Sequence, residues 1–273
     1  MSKKNRFTAF MKVWGKYEDD LDTINQVHDR IKYQEVFDEV PYPCVLDWYS
    51  TDNPEAWKKN QRVSPELLKQ YNWTEDSVKY DLNTYGFRNR EFVPNSNSII
   101  TIGECFTFGT GLPREMTWPD MLEKEINFEV FNLSRPLSGL DHSFRHLLYW
   151  LPVLKSKKVL MLENSGDVRE IFQFNESQAI GNWSDEEWKR VLTENKNERY
   201  ISRKKNLLAI QKWCEMHDVE FHVVECNKRN EIGKEQYEKN KEEPYAVARD
   251  LMHPGLHFQK AMKDVFKEIL EAY

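Results

Sequence analysis

The sequence predicts an α/β protein: a parallel sheet covered by helices on both faces, with an N-terminal extension packed against it. Three observations predict this. From about residue 80 onward, short apolar runs alternate with amphipathic segments. The runs, among them SIITIG, KKVLMLEN and VEFHVVEC, are nearly continuous in apolar character, as strands buried on both faces are. Residues 1–80 lack that alternation and mix a charged segment with a Pro- and aromatic-rich one. The expected division is therefore an extension over 1–80 and a main domain over 81–273.

Taken in order, KYEDDLDTINQVHDRIKYQEVFDEV has apolar residues at mixed three- and four-residue spacing, which predicts a helix. PYPCVLDWYSTDNPEAW is rich in Pro, Asp and aromatics and reads as an irregular packed segment. SPELLKQYNW has Ser before Pro-Glu, a helix start. SVKYDLNTYGF is a short strand ending in a turn, and SIITIG is a buried strand. TWPDMLEKEI is a short helix with Thr117 as its N-cap, and FEVFNLS is the next strand. SGLDHSFRHLLYWLPVL is a helix whose stripe is Leu140, Phe144, Leu147, Leu148 and Leu151. KKVLMLEN is a third strand, and SDEEWKRVLTEN opens with a capping box from Ser184 to Glu187. ISRKKNLLAIQKWCEMH is a helix, VEFHVVEC a fourth strand, and FQKAMKDVFKEILEAY the closing helix. The many Trp residues, Trp118, Trp150 and Trp183 among them, are expected in the core.

Composition excludes several classes. Hydrophobic residues make up 40% of 273, which suits a folded chain with a sizeable core. A net charge of −6 with interspersed Lys and Arg carries no nucleic-acid footprint, and MSKKNR is too short to change that. No apolar run is long enough for a membrane span, and the N-terminus lacks a signal peptide's apolar core. The four cysteines, Cys44, Cys105, Cys214 and Cys226, form no CxxC pair and no disulfide scaffold. His217 and His222 lie at poor spacing for a metal. A cytoplasmic, reduced protein without metal or cofactor is expected, with Cys214 and Cys226 as packing residues.

Two short stretches carry chemistry. GECFTFG places Cys105 where a buried strand ends and a helix begins, at the end of the sheet where α/β sites lie. There Cys105 reads either as a small core residue or as a nucleophile with nearby amides free to receive an oxyanion. ARDLMHPG offers Asp250 and His253, whose DxxH spacing lets the carboxylate meet one ring nitrogen while the other faces a nucleophile.

In order along the chain, NTYGFR, IITIGECFTFGTG, EMTWPDMLEKEI, FEVFNLSRPLSGLDHSF, VLMLENSGDV and DLMHPG resemble the blocks of the SGNH (GDSL-type) hydrolases. The resemblance covers about the C-terminal two thirds of the chain. It implies a three-layer α/β/α sandwich with a central parallel sheet. It also implies Cys105 as nucleophile in place of the usual Ser, His253 as base and Asp250 as its orienter. Glu104 stands in place of the family's Asp and reads as a structural carboxylate bonding the turn. Ser134 and Leu137 stand where family members often carry glycines, while Gly139 survives as part of the oxyanion region. In ENSGD the family's GxND block is altered, so Asn164 is either a displaced oxyanion donor or a turn residue. His142 is expected at a helix start, lining the pocket. Two readings stay open. One is an esterase, acyl hydrolase or acyltransferase acting on a small-molecule or glycan ester or thioester. The other is a catalytically impaired relative binding a sugar, an acyl chain or a protein partner.

Overall fold

The computed structural model describes residues 42–272 apart from 164, 165, 174, 175, 182 and 185. The helix expected within residues 17–41, and Asn164, lie outside the described residues. Two compact units divide the chain. The larger, residues 41–171 and 179–273, contains the sheet and the site; the smaller is residues 1–40 with 172–178.

Four strands form a parallel sheet: β3 (Ser98–Ile102), β4 (Glu129–Asn132), β5 (Lys158–Leu162) and β8 (Glu220–Val224), in the order β4-β3-β5-β8. A short antiparallel pair, β1 (Cys44–Leu46) and β2 (Tyr80–Leu82), precedes them. Two further short strands, β6 (Arg169–Gln173) and β7 (Glu176–Ile180), follow β5. The helices are α1 (Pro54–Val63), α2 (Pro65–Gln70), α3 (Cys105–Phe108), α4 (Trp118–Glu123), α5 (Leu140–Leu154), α6 (Glu187–Glu194), α7 (Lys196–Met216), α8 (Cys226–Asn240) and α9 (Leu256–Glu271).

Successive strand residues point to opposite faces, and here both faces are apolar. Ile100, Ile102, Phe131, Val159 and Met161 pack against Leu147, Trp150 and Leu151 of α5 and Ile210 and Cys214 of α7. Their neighbours Ile99, Val130, Leu160 and Leu162 pack against Trp118 and Leu122 of α4 and Phe258, Met262 and Phe266 of α9. This is a three-layer α/β/α arrangement. It explains why the strands read as continuous apolar runs.

Several local expectations need correction. The capping box at Ser184 does not form: Ser184 Oγ accepts from the Gly181 amide at 3.2 Å in a turn, and α6 begins at Glu187. α7 starts before Ile201, capped by Asn195, whose side chain accepts from the amides of Asn197 and Glu198 at 3.0 and 3.2 Å. Thr117 caps α4 by position, but its hydroxyl donates back to Arg114 O. Leu148 lies off the buried stripe of α5, and Trp183 is 46% exposed. α8 was not expected, since CNKRNEIGKEQYEKN has no apolar stripe; only Arg229 and Ile232 are buried.

Candidate active site

The turn after β3 is built around Gly103. Its φ is +157°, and a Cβ there would lie 2.3 Å from Thr107 Oγ1 and 3.0 Å from Leu162 O, so only glycine fits. Glu104 follows, and Cys105 opens α3, buried to 7% exposure. The segment after β4 folds over this turn. Asn132 donates from Nδ2 to Thr107 O at 3.2 Å, and Ser138 Oγ donates to Gly103 O at 3.2 Å. Between them Leu137 takes a left-handed φ of 54°, the conformation glycine would adopt freely. That backbone aims the Leu137 amide at the cysteine, where it donates to Sγ at 3.4 Å.

The second strand of the site comes from the loop before α9. His253 donates from Nδ1 to Asp250 Oδ2 at 2.6 Å. Asp250 Oδ1 accepts from the amides of Met252 and His253 at 3.0 and 3.1 Å, which closes the turn around the carboxylate. Cys105 lies close enough to the His253 ring to help raise its pKa. Phe106, beside the cysteine, meets the imidazole edge-on at 5.8 Å. Its carbonyl accepts from the buried Gln259, whose other amide atom accepts from the Trp118 amide. Asp250 thus holds His253 through one hydrogen bond, and Phe106 against the ring places the cysteine turn beside it at the carboxyl end of β3.

The electrostatics follow from those contacts. Burial pushes the His253 imidazole down, but the bond to Asp250 and the nearby Cys105 outweigh it and hold its pKa up at about 10. Burial pushes the Asp250 carboxyl up, and the bonds from His253 and the two amides overcome this to hold it below its ordinary value. At His142 burial prevails over the opposing pull of Glu170 and Asp141. Its pKa is pushed down to about 4, mainly by burial, and its Nε2 contacts His146 Nε2 at 3.0 Å. His142 sits at the start of α5, as expected, packed against His146.

Other expected residues fall out differently. Glu104 does not bond the turn. It accepts from Arg229 Nη1 at 2.9 Å, and burial raises its carboxyl. Gly139 is the N-cap of α5, and the amide on the sulfur belongs to Leu137. Cys226 is no buried packing residue. It opens α8, donates its amide to Glu163 Oε2 at 2.9 Å and takes a bond from Arg229 on its sulfur at 3.4 Å. Cys214 does pack in the core. Among the described residues no group of three or more His, Cys, Asp or Glu is placed to hold a metal ion. No helix among them is long and apolar enough to cross a membrane.

Four supports of the site were not anticipated. Thr51 Oγ1 donates to Asp250 Oδ2 at 2.9 Å, and Asn60 Nδ2 donates to Asp250 O at 3.0 Å. Arg249, fully buried, pairs with Asp52 at 2.6 Å, donates to Asp47 O at 2.7 Å and stacks on Trp48 at 4.1 Å. Arg229 braces the turn from the other side, over the Phe106 ring at 4.6 Å. Nothing in the residues around Thr51 or Arg229 marks them, since their partners lie 199 and 125 positions away.

No family model and no curated protein matches the chain. Solved structures do. TesA is 14% identical over 64% of this chain and 98% of its own, with a TM-score of 0.42. The psychrotrophic esterase EstA from Pseudoalteromonas sp. is 13% identical over 64% of this chain and 97% of its own, with a TM-score of 0.41. A GDSL-like lipase from Bacteroides thetaiotaomicron is 12% identical over 66% and 90%, with a TM-score of 0.33. At such values it is this chain's own side chains that decide what it can do.

Proposed function

We propose that the chain hydrolyses a small-molecule or glycan ester or thioester, with Cys105 as nucleophile, His253 as acid and base, and Asp250 as orienter. The observation that supports this is the Asp250–His253 hydrogen bond set beside the cysteine turn, with the Phe106 ring on the imidazole and the Leu137 amide on the sulfur. Such a trio is recognised by geometry and roles rather than by position in sequence.

The cycle balances without a cofactor. Sulfur attacks as thiolate, the reactive form of any cysteine, beside a His253 that carries its proton. Its electron pair forms the S–C bond, and the carbonyl oxygen becomes an oxyanion within reach of the Leu137 N–H. The oxyanion collapses and the C–O bond to the alcohol breaks. The departing alkoxide takes the proton of His253, leaving a thioester on Cys105 and a neutral imidazole. The loss of the sulfur's bond and charge removes one of the causes that hold His253 up, so the ring shifts toward its base form as its next task requires. It takes a proton from water, the hydroxide adds to the thioester, and the acid leaves as sulfur regains its pair and His253 its proton. Asp250 stays ionised throughout and fixes the ring by its Nδ1–H bond.

The test is hydrolysis of p-nitrophenyl and thioester substrates by the intact chain beside Cys105→Ala, with mass spectrometry of rapidly quenched samples. Expected is an acyl adduct on the peptide containing Cys105, and loss of at least about a thousandfold in kcat in the alanine variant. Equal turnover by the two proteins would refute Cys105 as nucleophile, and no adduct and no turnover would leave a binding cleft rather than an esterase.

A further inference from the structure

A cavity of about 410 Å³ lies between α8, α9 and the Asp250–His253 loop, with His253 and Phe106 in its wall and Cys105 outside it. Its chemistry is one-sided. The chain carries a net charge of −6, yet no Asp or Glu lines this cavity, whereas Arg229, Lys234, His253 and His257 do. Arg229 arrives already paired with Glu104 at its back and His253 with Asp250, so the unmatched charge belongs to Lys234, which has no ion-pair partner among the described residues. His257 adds a buried Nε2 that makes no hydrogen bond. A buried polar atom left without a partner is uncommon and costly, and it is the kind of group a ligand satisfies. Asn230 and Tyr237 supply further donors to the same walls.

The position of the cavity says which part of a substrate would enter it. It opens on the imidazole and not on the sulfur. In the proposed cycle the imidazole hands its proton to the departing oxygen, so the leaving group must lie on the His253 side. Resting on that reading, we infer that the cavity beside His253 takes the leaving-group portion of the substrate and that this portion carries an anionic group, a carboxylate or a phosphate, read by Lys234 and His257. Such a pocket would discriminate between substrates by charge-assisted hydrogen bonds, each typically strong enough for about a tenfold preference.

Two measurements test this, and only one depends on catalysis. The first compares 4-acetoxybenzoate with its methyl ester, which differ in the charge of the leaving group while the acyl group is the same. Expected is a kcat/KM for the charged ester about tenfold that of the neutral one, with the ratio falling toward one in Lys234→Gln and in His257→Phe. A ratio at or below one in the wild-type chain, or one that survives both substitutions, overturns the inference. The second follows binding of 4-hydroxybenzoate and of phenyl phosphate by histidine NMR, and needs no turnover. Expected are shifts at His257 that saturate and that weaken in Lys234→Gln; the tighter of the two ligands identifies the anion as carboxylate or phosphate. Absence of saturable shifts with either ligand overturns the inference. Saturable binding in a chain that cleaves no ester would support the anion site and refute the hydrolase, so the two failures are told apart.

Discussion

Replacing Asp250 by Asn tests the electrostatic core of the site. Two buried histidines in this chain show the range available. Burial takes His142 down to about 4, while the same penalty at His253 is overturned to about 10 by Asp250 and, after it, by Cys105. An amide at position 250 keeps the shape but removes the charge. An adjacent opposite charge is worth about 1–3 pH units, so the His253 midpoint should fall by that much, with Cys105 alone opposing burial. The assay is histidine Cε1–H NMR across about pH 5 to 11, with the His253 signal assigned by its loss in His253→Gln. The same substitution alters stability with a definite sign. Because the folded value lies above the ordinary 6.5, the stabilisation is fully present below pH 6.5 and is lost as pH rises through about 10. At about 1.4 kcal/mol per pH unit this amounts to roughly 5 kcal/mol, and the alkaline loss should shrink in Asp250→Asn. Asp250 itself is held low, so its contribution is present above about pH 4 and is lost as pH falls through its depressed value. An unchanged His253 midpoint in Asp250→Asn would refute this account of the site.

Thr51→Val should lower the same midpoint by less than Asp250→Asn does and reduce kcat by about tenfold, because it removes one hydrogen bond to the carboxylate; Thr51→Ser should restore both. Arg249→Leu strands the buried Asp52 carboxylate, so urea unfolding should show a loss of about 3–5 kcal/mol. Gly103→Ala forces a Cβ against Thr107 and Leu162 O at a φ that alanine rarely adopts. Expected are a loss of more than about 2 kcal/mol in thermal unfolding and only partial recovery when Thr107 is also replaced by Ala.

What was legible in the sequence is what is local. SIITI, KVLML and EFHVV announce themselves because each strand is apolar on both faces, and two cores receive them. The DxxH turn is legible because three residues suffice to bring a carboxylate to an imidazole. Leu137 was visible as a departure from a glycine, and its left-handed backbone shows why glycine would suit that place. Ser184 looked like a cap because hydroxyl spacing alone cannot distinguish a helix start from a turn. α8 escaped because its buried face is little more than Arg229 and Ile232, a charge and one aliphatic residue, which no periodicity argument finds.

The unread contacts share a geometry that explains why the site holds its shape. Each part of the candidate site is held by residues far away in sequence. The cysteine turn is tied by Ser138 through Gly103 and by Gln259 through Phe106. Asp250 receives its own loop's amides on one oxygen, and His253 with Thr51 on the other. Just before it, Arg249 pins the loop into the segment around Asp52, where Tyr80 also donates to the same carboxylate at 2.6 Å and receives the Gly111 amide at 2.8 Å. Gly111 O in turn accepts from the Arg249 amide at 2.9 Å. This closes a circuit from the GTG stretch after the cysteine, through Tyr80 and Asp52, to the residue preceding Asp250. Neither half of the site can shift without breaking a buried bond, so the cysteine turn and the Asp250–His253 loop are held relative to each other before any substrate arrives. Preorganisation of this kind is what makes positioned groups effective. It also assigns residues 47–80 a mechanical part in the site: without Asp52, Thr51 and Asn60, Arg249 would keep a buried charge with no carboxylate, and Asp250 would lose its two bonds from outside its own loop.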